Sequence, residues 1–205
     1  MGVTDSRSAM HIGLIRHGET DWNTGGLLQG RSDIPLNRRG LEQASQAGFM
    51  LARRGWCAVY SSPLTRAVAT AERIASATGL PAPTPIADLI ERDFGRFEGR
   101  SYFRTDGTPV DLADPSVESE DAVLARVLPA LRDVARSHHD EDVLVVSHGS
   151  VILSVLDHVM GGQGPIIGNS TLSIIEVDAG GGMHVTLAGG FPVDSRTDEP
   201  RDWRH

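Results

Sequence analysis

Two apolar runs, Ile12–Ile15 and Val143–Val146, are each closed by a polar residue, a histidine and a glycine. A short apolar run bounded by turn residues reads as a buried strand. Helical patterns lie between the two runs, and an alternation of strands and helices indicates an α/β sandwich. In such folds ligands bind just beyond the carboxyl ends of the strands. Arg16-His17-Gly18 and Ser147-His148-Gly149 therefore stand where the chemistry of an α/β sheet is placed. If the strands are parallel neighbours, both imidazoles emerge at one edge. Either histidine alone could be an ordinary turn residue; two in equivalent positions argue against coincidence. Gly18 lets the backbone turn with positive φ or approach a ligand closely.

The remaining pattern fills in the architecture. His11–Arg16, Trp56–Ser61, Asp142–Ser147, Thr171–Val177 and Met183–Ala188 read as strands, the last two as a hairpin across Gly180-Gly181-Gly182. Asn37 caps a helix to about Arg53, with Leu41, Ala44, Gly48 and Leu51 on one face. Ser62-Pro63 reads as the N-cap and first residue of a helix to Thr78. Pro85–Glu91 reads as a short extended piece. A helix from Ser119 to about Ser137 carries Val123, Val127, Leu131 and Val134 on one face, with Pro129 expected to kink or split it. A last helix runs from Gly149 to Met160. The expected fold is a three-layer α/β/α sandwich whose central sheet is mostly parallel with an antiparallel edge. Residues 1–190 form one domain, residues 99–118 an irregular excursion over it, and residues 191–205 a polar, mobile tail.

Composition removes several function classes. All 19 basic residues are arginine. Without lysine there is neither a Walker-type phosphate loop nor a Schiff base. The formal charge is −8, yet residues 1–104 carry a net +3 and residues 105–205 a net −11. An acidic chain of this kind is a poor nucleic-acid binder, while arginine's planar fork suits a small phosphate. No apolar run is long enough to cross a bilayer. The polar first ten residues and the single cysteine, Cys57, fit the cytoplasm. One cysteine also excludes a disulfide and a Cys-based metal cluster, so Cys57 is read as a small buried hydrophobe. His138 and His139 read as a solvated helix end beside Asp140-Glu141-Asp142. No metal and no cofactor is expected; the oligomeric state is left open, a dimer being compatible.

Arg66 reads as a cation in the first turn of its helix, where the macrodipole favours anions. An arginine in that place can be offset by a carboxylate or a bound phosphate. The amides of Gly149 and Ser150, opening a helix, offer a further anion site.

The chain resembles the histidine phosphatase superfamily, in its phosphoglycerate mutase-like branch, over most of residues 11–178. The resemblance rests on Arg16-His17-Gly18-Glu19-Thr20, Trp22-Asn23, Leu28-Gln29-Gly30 with Asp33 and Pro35-Leu36, Gly40 and Gln43-Ala44, Ser61–Ala67, Glu91 with Gly95 and Glu98-Gly99, and Ser147-His148-Gly149. It implies that His17 is the nucleophile and becomes phosphohistidine. Arg16, Arg66, His148 and Asn23 would surround the phosphoryl group, and Glu91 would be the general acid. Two arginines and a protonated histidine can neutralise the equatorial oxygens without a metal. Gly30, Arg31, Phe94 and Tyr102 are expected substrate contacts, with Phe103 and Arg104 on the same side. The motif is not the His-Asp of the exported acid phosphatase branch.

Mutases of this branch carry a longer insertion before the second histidine; here only 49 positions separate Gly99 from His148. A site more open to water favours hydrolysis of small phosphorylated metabolites. The alternatives are a 2,3-bisphosphoglycerate-dependent phosphoglycerate mutase and a non-catalytic phospho-ligand binding protein.

Overall fold

A computed structural model describes residues 9–138 and 141–193. Seven strands form one sheet: β1 (Met10–Arg16), β2 (Trp56–Ser61), β3 (Thr84–Pro85), β4 (Asp142–Ser147), β5 (Leu172–Val177), β6 (Met183–Ala188) and β7 (Phe191–Pro192). Their order is β3-β2-β4-β1-β5-β6-β7. The first four in that order are parallel, and β5, β6 and β7 complete the sheet antiparallel. The helices are α1 (Asp21–Thr24), α2 (Arg38–Leu51), α3 (Thr65–Thr78), α4 (Glu120–His138) and α5 (Gly149–Met160).

The two-residue period of the strands divides the core between two faces. Val143 and Val145 of β4, with Ile12 and Leu14 of β1, pack under α4 and α5 against Val127, Leu131, Ile152 and Leu156. Leu144 and Val146, with Ile15 and Val59, pack on the other face against Leu51 of α2 and Ala71 and Ile74 of α3. The alternation makes β4 the central wall of both halves. Truncating Leu144, which is fully buried, costs about 2–5 kcal/mol on this account.

Several expectations need correction. Ser62 is not the cap of α3; the helix starts at Thr65, and Asp33 Oδ1 takes the Thr65 amide and hydroxyl, both at 2.8 Å. A carboxylate from a distant loop thus does the capping, because the Ser62 hydroxyl is engaged by the Leu64 amide and by His148. Pro129 lies inside one continuous α4 rather than dividing it. Pro85–Glu91 is only briefly extended and contains a 3₁₀ turn over Ala87–Leu89. The expected tail begins as β7, paired to β6; residues 194–205 lie outside the described residues. So do His139 and Asp140. His138 is not a solvated end residue: its ring meets Cys57 and Tyr60. Cys57 is half-buried. No helix among the described residues is long and apolar enough to cross a membrane.

Candidate active site

The parallel register of β1 and β4 sets Arg16 opposite Ser147, so the next residues, His17 and His148, leave the sheet side by side. Their ring centroids are 5.2 Å apart at 59°. Both rings are buried. The His17 amide donates to the Ser147 carbonyl at 3.0 Å, and Asn169 Nδ2 donates to the His17 carbonyl at 3.0 Å. His17 Nδ1 lies 2.7 Å from the Gly18 carbonyl. A carbonyl can only accept, so Nδ1 carries the proton and the lone pair of a neutral His17 sits on Nε2.

The turn that aims His17 is held from below. The Gly18 amide donates to Thr70 Oγ1 at 3.0 Å. Gly18 is required for close approach rather than for positive φ: a Cβ there would lie 2.4 Å from the Gly40 carbonyl oxygen. A Cβ on Gly40 would lie 2.0 Å from the Glu19 carbonyl oxygen. The first turn of α2, capped by Asn37, thus presses directly on the histidine turn.

Arg66, in the first turn of α3, is fully buried. It donates through Nη1 to the Ser32 carbonyl at 2.8 Å and through Nη2 to the Gly30 carbonyl at 2.7 Å. Arg16 Nη1 donates to the Ile167 carbonyl at 2.6 Å. Burial lowers the pKa of both guanidiniums, opposed by the nearby Glu91 carboxylate; starting from so high a value, both stay charged. Arg16 Nε, Arg66 Nε and His148 Nδ1 are buried without a protein partner among the described residues. Buried polar atoms normally are paired. Three such atoms around one imidazole pair fit an oxygen-rich anion.

Burial, then Arg16 and Arg66, push the His17 pKa well down; burial, then His17 and the two arginines, do the same to His148. These neighbours disfavour the charged form of His148 in the free protein. Its Nε2 shares a 2.7 Å hydrogen bond with the Ser62 hydroxyl. A phosphoryl dianion arriving beside it would favour the charged ring.

Glu91 follows the 3₁₀ turn and is buried. Burial raises its pKa, opposed by the amides of Arg92 and Ser150 and by the charges of Arg66 and Arg16. The Arg92 amide donates to Oε1 at 2.8 Å. The backbone beneath Glu91 is tied to α4 by Arg126, whose Nη1 donates to the Asp88 and Ile90 carbonyls at 2.6 and 2.7 Å and whose Nη2 reaches the Glu91 carbonyl at 3.3 Å. Glu118 accepts from Arg126 Nε at 2.8 Å and Nη2 at 3.0 Å.

Arg16, His17, Asn23, Glu91 and Gly149 line one cleft of about 1250 Å³, together with Gly30, Phe94 and Tyr102. Asn23 Oδ1 accepts from the Thr20 amide and from Asn169 Nδ2, which leaves its Nδ2 as the donor for a ligand. Val110, Leu112 and Val117 of the excursion form the cleft's apolar wall with Leu28 and Phe94. Arg66 and His148 are not part of this lining. Arg31 stands apart: its guanidinium pairs with Asp93 at 3.6 Å and Glu118 at 3.3 Å, outside the cleft lining. Sequence reasoning passed over Thr70, Asn169 and Arg126. Arg126 did leave a signal, a charge on the apolar face of α4 between Val123 and Val127; Thr70 and Asn169 left none.

The family model of the histidine phosphatase superfamily (branch 1) matches residues 12–188. An uncharacterized phosphatase, PhoE, of Bacillus subtilis is 36% identical over 167 residues, covering 80% of this chain and 86% of that protein. A metal-independent phosphoserine phosphatase of Arabidopsis thaliana is 36% identical over 157 residues, covering 70% and 66%. Among solved structures, Bacillus stearothermophilus YhfR superposes with a TM-score of 0.78 at 29% identity, covering 88% of this chain and 97% of that one. The phosphoglycerate mutase-like fold and the phosphatase class expected from the motifs are borne out.

Proposed function

The chain belongs to the histidine phosphatase superfamily (branch 1), and on that premise we propose that it hydrolyses small phosphomonoesters through a phosphohistidine at His17. The observation that carries the reading is the pairing of two buried imidazoles, 5.2 Å apart, with the buried Arg66 and the half-buried Arg16, of which His17 and Arg16 line the cleft. The neutral Nε2 of His17 attacks phosphorus and the bond to the ester oxygen breaks. Glu91, whose pKa burial raises, gives its proton to the departing oxygen. The same carboxylate then takes a proton from water, which attacks the phosphohistidine, releases phosphate and restores His17. Phosphoryl transfer needs little beyond alignment and charge neutralisation. Arg16 and Arg66 supply fixed positive charge, Asn23 Nδ2 and the Gly149 amide supply donors, and His148 gains charge once the dianion is bound.

Residues 1–190 act as one catalytic domain in this reading, with 99–118 forming the outer wall that selects the substrate. Gly30, Phe94 and Tyr102 contact the alcohol portion. The single cysteine fits a reducing compartment, and the reading places the enzyme in the cytoplasm.

The test is an alkaline SDS quench of the enzyme turning over a ³²P-labelled phosphomonoester. Acid-labile, base-stable label on His17 is expected, and its loss together with activity in His17→Ala. No label from any donor would overturn the enzymatic reading. Interconversion of 2- and 3-phosphoglycerate with little phosphate release would replace hydrolysis by mutase chemistry.

A further inference from the structure

At the edge of the sheet opposite the cleft, the starts of β2 and β4 meet the end of α4. Cys57 Sγ lies 3.3 Å from His138 Nδ1, and Glu141 Oε2 lies 3.8 Å from the same nitrogen. The ligating atoms of Cys57, His138 and Glu141 all lie within 4.8 Å of one another. Tetrahedral zinc, with bonds of about 2.0–2.3 Å, sets its ligand atoms about 3.3–3.8 Å apart. Both separations from His138 Nδ1 fall in that range. On the far side of the ring, Tyr60 Oη lies 2.7 Å from His138 Nε2. A metal-ligating histidine characteristically gives its second nitrogen to such an orienting partner. With Nε2–H donating to Tyr60, the Nδ1 lone pair is turned toward Cys57 and Glu141.

We propose that Cys57, His138 and Glu141 form a zinc site, with Tyr60 fixing the imidazole. Sulfur, nitrogen and oxygen donors together suit Zn²⁺ and not Mg²⁺ or Ca²⁺, which take oxygen alone. Three protein ligands leave the fourth position to water. The sequence led to the expectation of no Cys-based metal cluster and no metal; this site departs from that expectation, because one cysteine still allows a mixed set of donors. The site pins the start of β2, the end of α4 and the approach to β4, three segments far apart in the chain. Cys57 precedes Ser61 by four strand residues, or about 13 Å, so the metal stands away from the phosphoryl site and stabilises the fold without entering hydrolysis. Binding to the folded state alone raises Tm as zinc rises above its Kd.

The experiment is a Co²⁺ titration of the full chain after chelator treatment, followed by Zn²⁺ competition. A near-ultraviolet thiolate-to-cobalt charge-transfer band saturating at one ion per chain is expected. Cys57 is the only thiol, so such a band identifies it. The band disappears in Cys57→Ser, and Tyr60→Phe weakens Co²⁺ binding about 10–100-fold. Zinc raises the Tm of the wild type but much less that of Glu141→Gln, a change at a largely exposed side chain that spares the fold. Hydrolysis is unchanged by zinc or chelator. Absence of the band in the folded wild type overturns the proposal, as does an equal zinc-induced Tm shift in wild type and Glu141→Gln. Neither result bears on the phosphohistidine.

Discussion

Glu91→Gln separates the two jobs that a carboxylic acid in this cleft can do. Glutamine keeps the shape and retains an oxygen for the Arg92 amide, now 2.8 Å from Oε1, but it cannot deliver a proton. A positioned general acid contributes about 10²–10⁴-fold, or about 2.7–5.5 kcal/mol of barrier. That loss is due in full when the leaving group is an alkoxide and hardly at all when it is p-nitrophenolate, which departs without protonation. The expected result is a kcat/KM fall of about 10²–10⁴-fold on an alkyl phosphate and of less than about tenfold on p-nitrophenyl phosphate, because kcat/KM reports the phosphorylation step and not the hydrolysis of the phosphohistidine that both substrates share. Burial raises the Glu91 pKa, so the acid form persists above the usual carboxylate range and activity on alkyl phosphates falls as pH rises through that raised value. The sign for stability is the opposite of that for a salt-bridged carboxylate. A raised folded pKa stabilises below the unfolded value and loses that contribution as pH rises through the folded one. Near neutrality the glutamine variant is therefore at least as stable as the wild type. Steady-state kinetics on the two substrates and a thermal melt at pH 7 check all three statements. Equal kinetic losses on both substrates, or a large fall in Tm, would refute Glu91 as the acid.

Gly40→Ala drives a Cβ to 2.0 Å from the Glu19 carbonyl oxygen; about 1–3 kcal/mol or more of stability and a matching fall in kcat are expected by melting and kinetics. Gly55→Ala, with no atom within 4 Å of its Cβ, is the control and stays within about 0.5 kcal/mol. Arg126→Met leaves the Glu118 carboxylate without its main partner at a site 12% exposed, which costs about 2–4 kcal/mol. If Arg126 positions Glu91, the residual activity falls more on alkyl phosphates than on p-nitrophenyl phosphate. Adding Glu118→Gln recovers part of the stability but not that selectivity. Glu118 is held below the usual carboxylate range despite its burial, through Arg126, the Asp93 amide and Arg31. Its contribution is present above the unfolded pKa and lost as pH falls through the folded one, so acid melts of wild type and variant converge.

The strands were legible because burial on both faces leaves continuous apolar runs, and β4 is read to the residue. Helix α2 was legible because Asn37 satisfies the Gly40 amide locally. Helix α3 was misread at its start for the converse reason. Its cap, Asp33, lies 32 residues away, and no local pattern reports a hydrogen bond of that span. The Ser62-Pro63 pair imitates a cap while its hydroxyl serves His148. Local rules therefore fail at the point where the serine is diverted to the site.

The site divides along the same line. His17, His148 and Arg16 were legible from strand ends, because a parallel register converts position along a strand into position in space. Their protonation was not legible, since charge state depends on burial and on neighbours from other segments. A motif with two arginines and a histidine invites a permanently charged imidazole, yet burial, then His17 and the two arginines, push the His148 pKa well down. That difference has a mechanistic consequence. A site with three fixed cations would bind inorganic phosphate more tightly and release it more slowly. A site with two fixed cations and one imidazole whose charged form is disfavoured in the free protein makes part of its positive charge depend on the bound dianion. Only a gain of charge that is larger in the transition state than with bound substrate or phosphate would raise kcat; a gain shared by every bound dianion changes affinity alone.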